Sequence, residues 1–174
     1  DQVGWLSLWS SVLSAAFCVI GGFLSDRFGR RRTLFIYIAL MSLPVLYLML
    51  ALEQYGWIMP VSTSAANRPA VPIGLVTALW IATLSYAALQ GLMYGTRSAS
   101  LMDVTNPKVA ATQFTAYMAL ANLAISYSST WQGIAIEAWG YPRTMLIDTV
   151  LGMACLIVIP FLKRLDIQGG GFID

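Results

Sequence analysis

The stretch Gly22-Phe23-Leu24-Ser25-Asp26-Arg27-Phe28-Gly29-Arg30-Arg31-Arg32 decides the fold. A long apolar run precedes it, and another follows it at once. Between the two lie one carboxylate, four arginines and two glycines. Charge this dense between runs this apolar reads as a tight turn joining two transmembrane helices. Gly29 permits the reversal because it has no Cβ to obstruct it. The arginines anchor such a turn at the anionic cytoplasmic face of a bilayer.

Composition points the same way. Hydrophobic residues make up 58% of the 174 and charged residues only 10%, with a mean hydropathy of +0.71. A soluble domain carries about 25% charged residues, so this chain lacks the charge to cover a water-facing surface. The expected class is therefore all-α, a polytopic helical membrane protein. Its two cysteines, Cys18 and Cys155, lie inside apolar runs without metal-ligand or redox spacing and read as packing residues. There is no histidine, which removes the commonest general base and metal ligand. With no clustered nucleophile and no paired membrane carboxylates, the chain does not read as an enzyme. No catalytic residue, cofactor, metal or nucleic-acid partner is expected. It starts at Asp1, directly beside an apolar run, and reads as a fragment of a longer protein.

Working outward from the turn, five segments are long enough to span a bilayer, which takes about 20 helical residues. They are Val3–Leu24, Thr33–Leu52, Val71–Met102, Val109–Ile136 and Met145–Leu162. The connection Glu53–Ala70 has loop chemistry in Pro60, Asn67 and Pro69. Asp103–Lys108 is short, with Thr105 or Asn106 as a cap and Pro107 in the first turn of the next helix. In Glu137–Arg143, Gly140 can end one helix and Pro142 can start the next. A membrane unit over 1–165 is followed by a polar tail, 166–174, with glycines at 169–171.

Charge placement orients these spans. Arg27, Arg30, Arg31, Arg32, Arg97, Lys108, Lys163 and Arg164 fall on one side, and only Arg68 and Arg143 on the other. The positive-inside bias makes the first side cytoplasmic, and the C-terminus with it. Trp57, Trp139 and Tyr141 then sit near the outer interface.

Three helices carry stripes of small residues. The first has Ser7, Ser11, Ser14, Cys18, Gly22 and Ser25; the third has Ala87, Gly91, Gly95 and Ala99. The fourth has Thr112, Thr115, Ala119, Asn122, Ser126, Ser129 and Gly133. Such stripes let membrane helices approach closely, and that is the favoured reading. The alternative is a polar face on a water-filled cavity. The fourth helix suits it best, since it also carries Gln113, Tyr117, Tyr127 and Gln132. Pro44 interrupts the second helix and frees a backbone carbonyl.

Ionisable groups inside spans are functional candidates by default. Asp148 is a candidate to bind a proton or cation, or to pair with Arg143. Arg97 is placed to snorkel, to pair with Asp103 or to touch an anionic substrate. Gln113 and Asn122 complete the candidate cavity contacts. Asp26 is placed to accept hydrogen bonds from Arg27 or Arg30, as a latch made in one conformation and broken in another. A purely topogenic loop, with arginines that only set orientation, is the plainer reading of an arginine cluster.

The full pattern G-x-L-x-D-R-x-G-R-R, at Gly22, Leu24, Asp26, Arg27, Gly29, Arg30 and Arg31, closely resembles the signature loop of the major facilitator superfamily. The resemblance implies twelve helices in two six-helix halves, a central substrate site and alternating access. These five spans would form most of one half, helices eight to twelve of the C-terminal half. Ala111-Thr112-Gln113-Phe114 and Asp1-Gln2-Val3-Gly4 resemble segments of the muropeptide permease and acetyl-CoA transporter branch. That implies secondary active uptake of an organic solute across the inner or plasma membrane. Proton coupling and a muropeptide-like amino-sugar peptide are the expected details. A sugar or drug carrier and a non-transporting, transporter-like sensor are the alternatives. Gly22, Asp26, Arg27, Gly29, Arg30 and Arg31 would form the conformational motif. The expected partners are the bilayer, a small solute, a proton and the missing N-terminal half.

Overall fold

The computed structural model describes residues 2–61 and 70–158. The expected end of the last span at Leu162, the tail, and Asn67, Arg68 and Pro69 of the second connection lie outside them. Among the described residues every regular element is a helix. These are α1 (Gln2–Phe28), α2 (Arg30–Gln54), α3 (Ile73–Val104), a 3-10 turn (Pro107–Val109), α4 (Ala110–Trp139) and α5 (Tyr141–Val158). By length and composition α1, α2 and α3 suffice to cross a membrane. Five spans are expected from the sequence, and these three meet that standard among the described residues. Polar residues recur along α4, and α5 runs to the edge of what is described.

The helices start and stop where the chain chemistry dictates. Gly29 alone separates α1 from α2, and its φ of 89° is a conformation that L side chains rarely adopt. Its N–H donates to the Ser25 carbonyl at 3.1 Å, and its own carbonyl accepts from the Thr33 N–H at 3.2 Å. The Asn106 side chain accepts from the Lys108 N–H at 3.0 Å, with Pro107 next in the chain. Gly140, with φ 80°, separates α4 from α5.

Packing is uneven. The tightest contact is α1 on α3, where glycine replaces side chains. A Cβ added at Gly91 would collide with the Ser14 carbonyl, and one at Gly95 with the Cys18 carbonyl. The expected small-residue stripes of α1 and α3 therefore meet each other. The glycine of α1 in this contact is Gly21, whose Cβ would run into the backbone of Leu92. A Cβ at Gly22 would meet nothing among the described residues. Gly22, expected from the sequence to give close packing, meets the seam through its backbone nitrogen, 2.9 Å from where a Cβ on Gly95 would lie, while about 100° per residue turns its own Cβ direction off the line that Gly21 occupies. Two hydroxyls are sealed into this seam. Ser25 donates to the Gly22 carbonyl at 2.7 Å, and Thr96 lies 3.1 Å from the Leu92 carbonyl and 3.3 Å from the Gly21 carbonyl. Both residues are 0% exposed, so these bonds replace water.

A second cluster ties α2 to α3 and α5. Ala51, Leu52, Leu75 and Ala78 are its buried members, with Leu48, Trp57, Tyr141 and Met145 packed against them. The segment after α2 closes over it, as the Tyr141 N–H donates to the Ile58 carbonyl at 2.8 Å. A Cβ on Gly140 would sit 2.5 Å from that carbonyl oxygen. By contrast α4 buries only Ala135. The residues of its small and polar stripe, Thr112 to Gly133, are all exposed.

Candidate functional site

The arginine turn forms a connected ionic site. Because Gly29 alone separates α1 from α2, Asp26 and Arg30 are held side by side. The Arg30 guanidinium donates to Asp26 Oδ1, from Nη2 at 3.1 Å and from Nε at 3.3 Å. Its Nη1 donates to the Ala99 carbonyl on α3 at 2.8 Å and forms an ion pair with Asp103. One side chain thus fastens the ends of α1, α2 and α3. Of the two donors considered for Asp26, it is Arg30 that serves; Arg27 and Arg32 are exposed.

The third arm of this site, Asp103 with the Ala99 carbonyl, is the part that motif reading missed. The available signal was that Asp103 lies in a short connection on the same side as the turn. Arg97 does not reach Asp103. Six helical residues at about 100° each place the two roughly 120° apart around α3. Arg97 lies instead over the Tyr94 ring, with Cζ 4.7 Å from the ring centroid.

The network is built to break. Asp26 and Asp103 keep 65% and 57% of their side-chain surface exposed, and Arg30 keeps 31%. Exposed ion pairs contribute about 0.2–1 kcal/mol each. Contacts of that size can hold one arrangement of helices without making it permanent.

The second polar site lies at mid-bundle. Gln132 on α4 donates its amide to Asp148 Oδ1 on α5 at 2.9 Å. The pair faces a cavity of about 310 Å³ among α2, α3, α4 and α5, lined also by Pro44, Thr83, Tyr86 and Thr144. Asp148 therefore has a neutral partner and not Arg143, which is exposed beside Glu53 and Trp139 in a separate cleft. Tyr86 joins this site from the structure alone; the sequence singles out Asp148 and places Gln132 on the polar face of the fourth helix, without pairing the two.

The other candidates are scattered. Gln113 accepts from the Asn106 N–H at 2.8 Å, which secures the α3–α4 connection. Asn122 is exposed on α4. The structure does not bring Gln113, Asn122, Arg97 and Asp148 together. Among the described residues no group of His, Cys, Asp or Glu side chains is arranged to hold a metal ion.

Apolar helices long enough for a bilayer, fastened by an arginine turn and carrying polar groups at mid-bundle, define a multi-pass membrane protein. The family model of the Major Facilitator Superfamily matches residues 1–170, and the chain belongs to that family of transporters. No curated protein and no solved structure gives a significant match.

Proposed function

We propose that this chain is part of a secondary active carrier that moves a small organic solute by alternating access. In this reading α4 and α5 are the fourth and fifth spans. The five helices belong to the C-terminal half, with the arginine turn and the C-terminus at the cytoplasmic face of the inner or plasma membrane. The Asp26–Arg30–Asp103 network is the latch, holding the ends of α1, α2 and α3 in one state and releasing them in the other. Asp148 carries the coupling proton, with Gln132 as its hydrogen-bond partner. The solute is a muropeptide-like amino-sugar peptide.

The observation that carries the reading is Arg30. A purely topogenic arginine needs no partner, yet this one is shared between two carboxylates and a carbonyl from separate helices. The bonds are individually weak because they are partly solvated, which suits a contact that must be remade each cycle. Binding of solute to one state over the other then shifts the population by its differential affinity alone.

Uptake of a labelled amino-sugar peptide into proteoliposomes tests this with the full-length transporter. The expected outcome is uptake that an imposed inward proton gradient accelerates and that Asp26→Asn reduces. Full activity in Asp26→Asn would return the turn to a topogenic role. Solute binding without flux would make the protein a sensor.

A further inference from the structure

One charged cluster takes no part in the latch or in the Asp148 site. We propose that the groove between α1 and α3 binds a carboxylate-bearing organic solute, with Arg97 as the anion contact and Tyr94 and Gln90 as its wall. The proposal rests on the transport reading and names the chemical class of the solute.

Gln90, Tyr94 and Arg97 follow one another at spacings of four and three, so they share one face of α3. At about 1.5 Å per residue the row is roughly 10 Å long. Its members are already in register. Gln90 Nε2 lies 3.5 Å from the Tyr94 hydroxyl, and Arg97 covers the Tyr94 ring at 4.7 Å. Beside Gln90 and Tyr94 opens a groove of about 430 Å³, lined by these two from α3 and by Ser10, Ser11, Ser14 and Cys18 from α1; Arg97 lies beyond that lining and adjoins it through Tyr94, whose ring it covers.

The guanidinium is the informative part. Arg97 Nε is buried and has no hydrogen-bond acceptor. Among the described residues this side chain lies against the Tyr94 ring face, which attracts the positive charge but accepts none of its N–H bonds in the plane. The nearest carboxylate along the helix, Asp103, is held by Arg30. A guanidinium set into an apolar helix, with an orphaned N–H and no acid of its own, is short of an anion. A carboxylate supplies two oxygens in the plane that a guanidinium fork matches.

The other end of the groove differs. The Ser10 and Ser11 hydroxyls each donate to the Ser7 carbonyl at 2.9 Å, so their protons are committed and their lone pairs are what they offer. The Gln90 carbonyl oxygen adds another acceptor. A solute that fits therefore carries a carboxylate at one end and amide N–H or hydroxyl donors further along.

The test uses the full-length transporter in detergent with matched probes. These are N-benzoylglycine and N-acetyl-alanyl-alanine, each against its neutral carboxamide, with binding read by tryptophan fluorescence. At least one acid is expected to bind tenfold or more tightly than its amide. Arg97→Gln should abolish that preference, and Arg97→Lys should keep part of it, since it retains the charge without the fork. Both acids should also slow phenylglyoxal labelling of Arg97 in the unmodified protein, a readout that stands even where Arg97→Gln fails to fold. Equal affinity for acids and amides, no binding of either acid, or a preference that survives Arg97→Gln each overturns the proposal. Binding is read without flux. A carboxylate preference with no uptake therefore removes only the transport reading, and uptake confined to neutral solutes removes only this one.

Discussion

The α1–α3 seam and α4 were both read from stripes of small residues, and the structure treats them in opposite ways. In the seam Gly21, Gly91 and Gly95 face backbone directly, so two helices touch without side chains between them. On α4 the stripe is Thr, Ser and Asn, and it is exposed along its length; a Cβ at Gly133 would meet nothing. The difference lies in what the small residue opposes. A glycine that opposes a carbonyl is a packing device, because any substituent must displace backbone. A glycine or serine that opposes open space constrains nothing, and its polar groups remain available to a partner, water or solute. A small-residue stripe is thus half of a contact, and only the facing helix decides whether the contact exists.

Gly95→Leu should have the largest effect on this contrast. The new side chain must displace the Cys18 carbonyl and the nearby Gly22 nitrogen, where even a Cβ would lie 2.9 Å from the latter. Overpacking a close-packed seam costs about 1–3 kcal/mol, occasionally more, and backbone cannot yield as a side chain can. We expect loss of a monodisperse peak on size exclusion and a large drop in thermal stability. Normal stability would mean that the seam is looser than its geometry.

Asp26→Asn should come next, acting on function and not on folding. Transport by the full-length protein is expected to fall tenfold or more, with expression and melting temperature close to the parent, because an exposed ion pair contributes only about 0.2–1 kcal/mol. Asp103→Asn should behave in the same way, since both acids hold one arginine. A transport loss from Asp26→Asn alone would reduce the latch to the turn itself.

Asp148→Asn probes the loose side. It should leave stability within about 1 kcal/mol, the usual net size of one hydrogen bond, while uptake loses its dependence on external pH. Retained pH dependence would exclude Asp148 as the proton carrier. The smallest effect is expected for Gly133→Ala. With nothing within 4 Å of the added Cβ, and alanine the better helix former, stability should hold or rise by up to about 1 kcal/mol. A clear destabilisation would show that the α4 stripe is covered in the full-length protein.

The pairings that escaped sequence reading share one cause. Arg30 and Asp103 are separated by most of α2, the second connection and α3, so no local pattern links them. Gln132 and Asp148 face each other across the Gly140 break, and their meeting depends on the angle at which α5 returns along α4. Pairing with Asp103 is one of three readings that the sequence leaves open for Arg97, and helical rotation separates the two. The elements that were legible, Asp26 with Arg30 and the Asn106–Pro107 cap, all lie within a turn of one another.

By itself the sequence determined that the chain is helical and membrane-bound, because apolar runs of this length can satisfy their backbone in lipid only as helices. It also determined that Gly29 would be a turn, and it carried a resemblance to the superfamily whose model matches residues 1–170. Only the tertiary structure decided which small residues pack, which acid Arg30 shares with Asp26, and that Arg97 is left without one. Those are choices between helices, fixed by how distant faces meet. The chain order that specifies each helix holds no record of its neighbour's rotation.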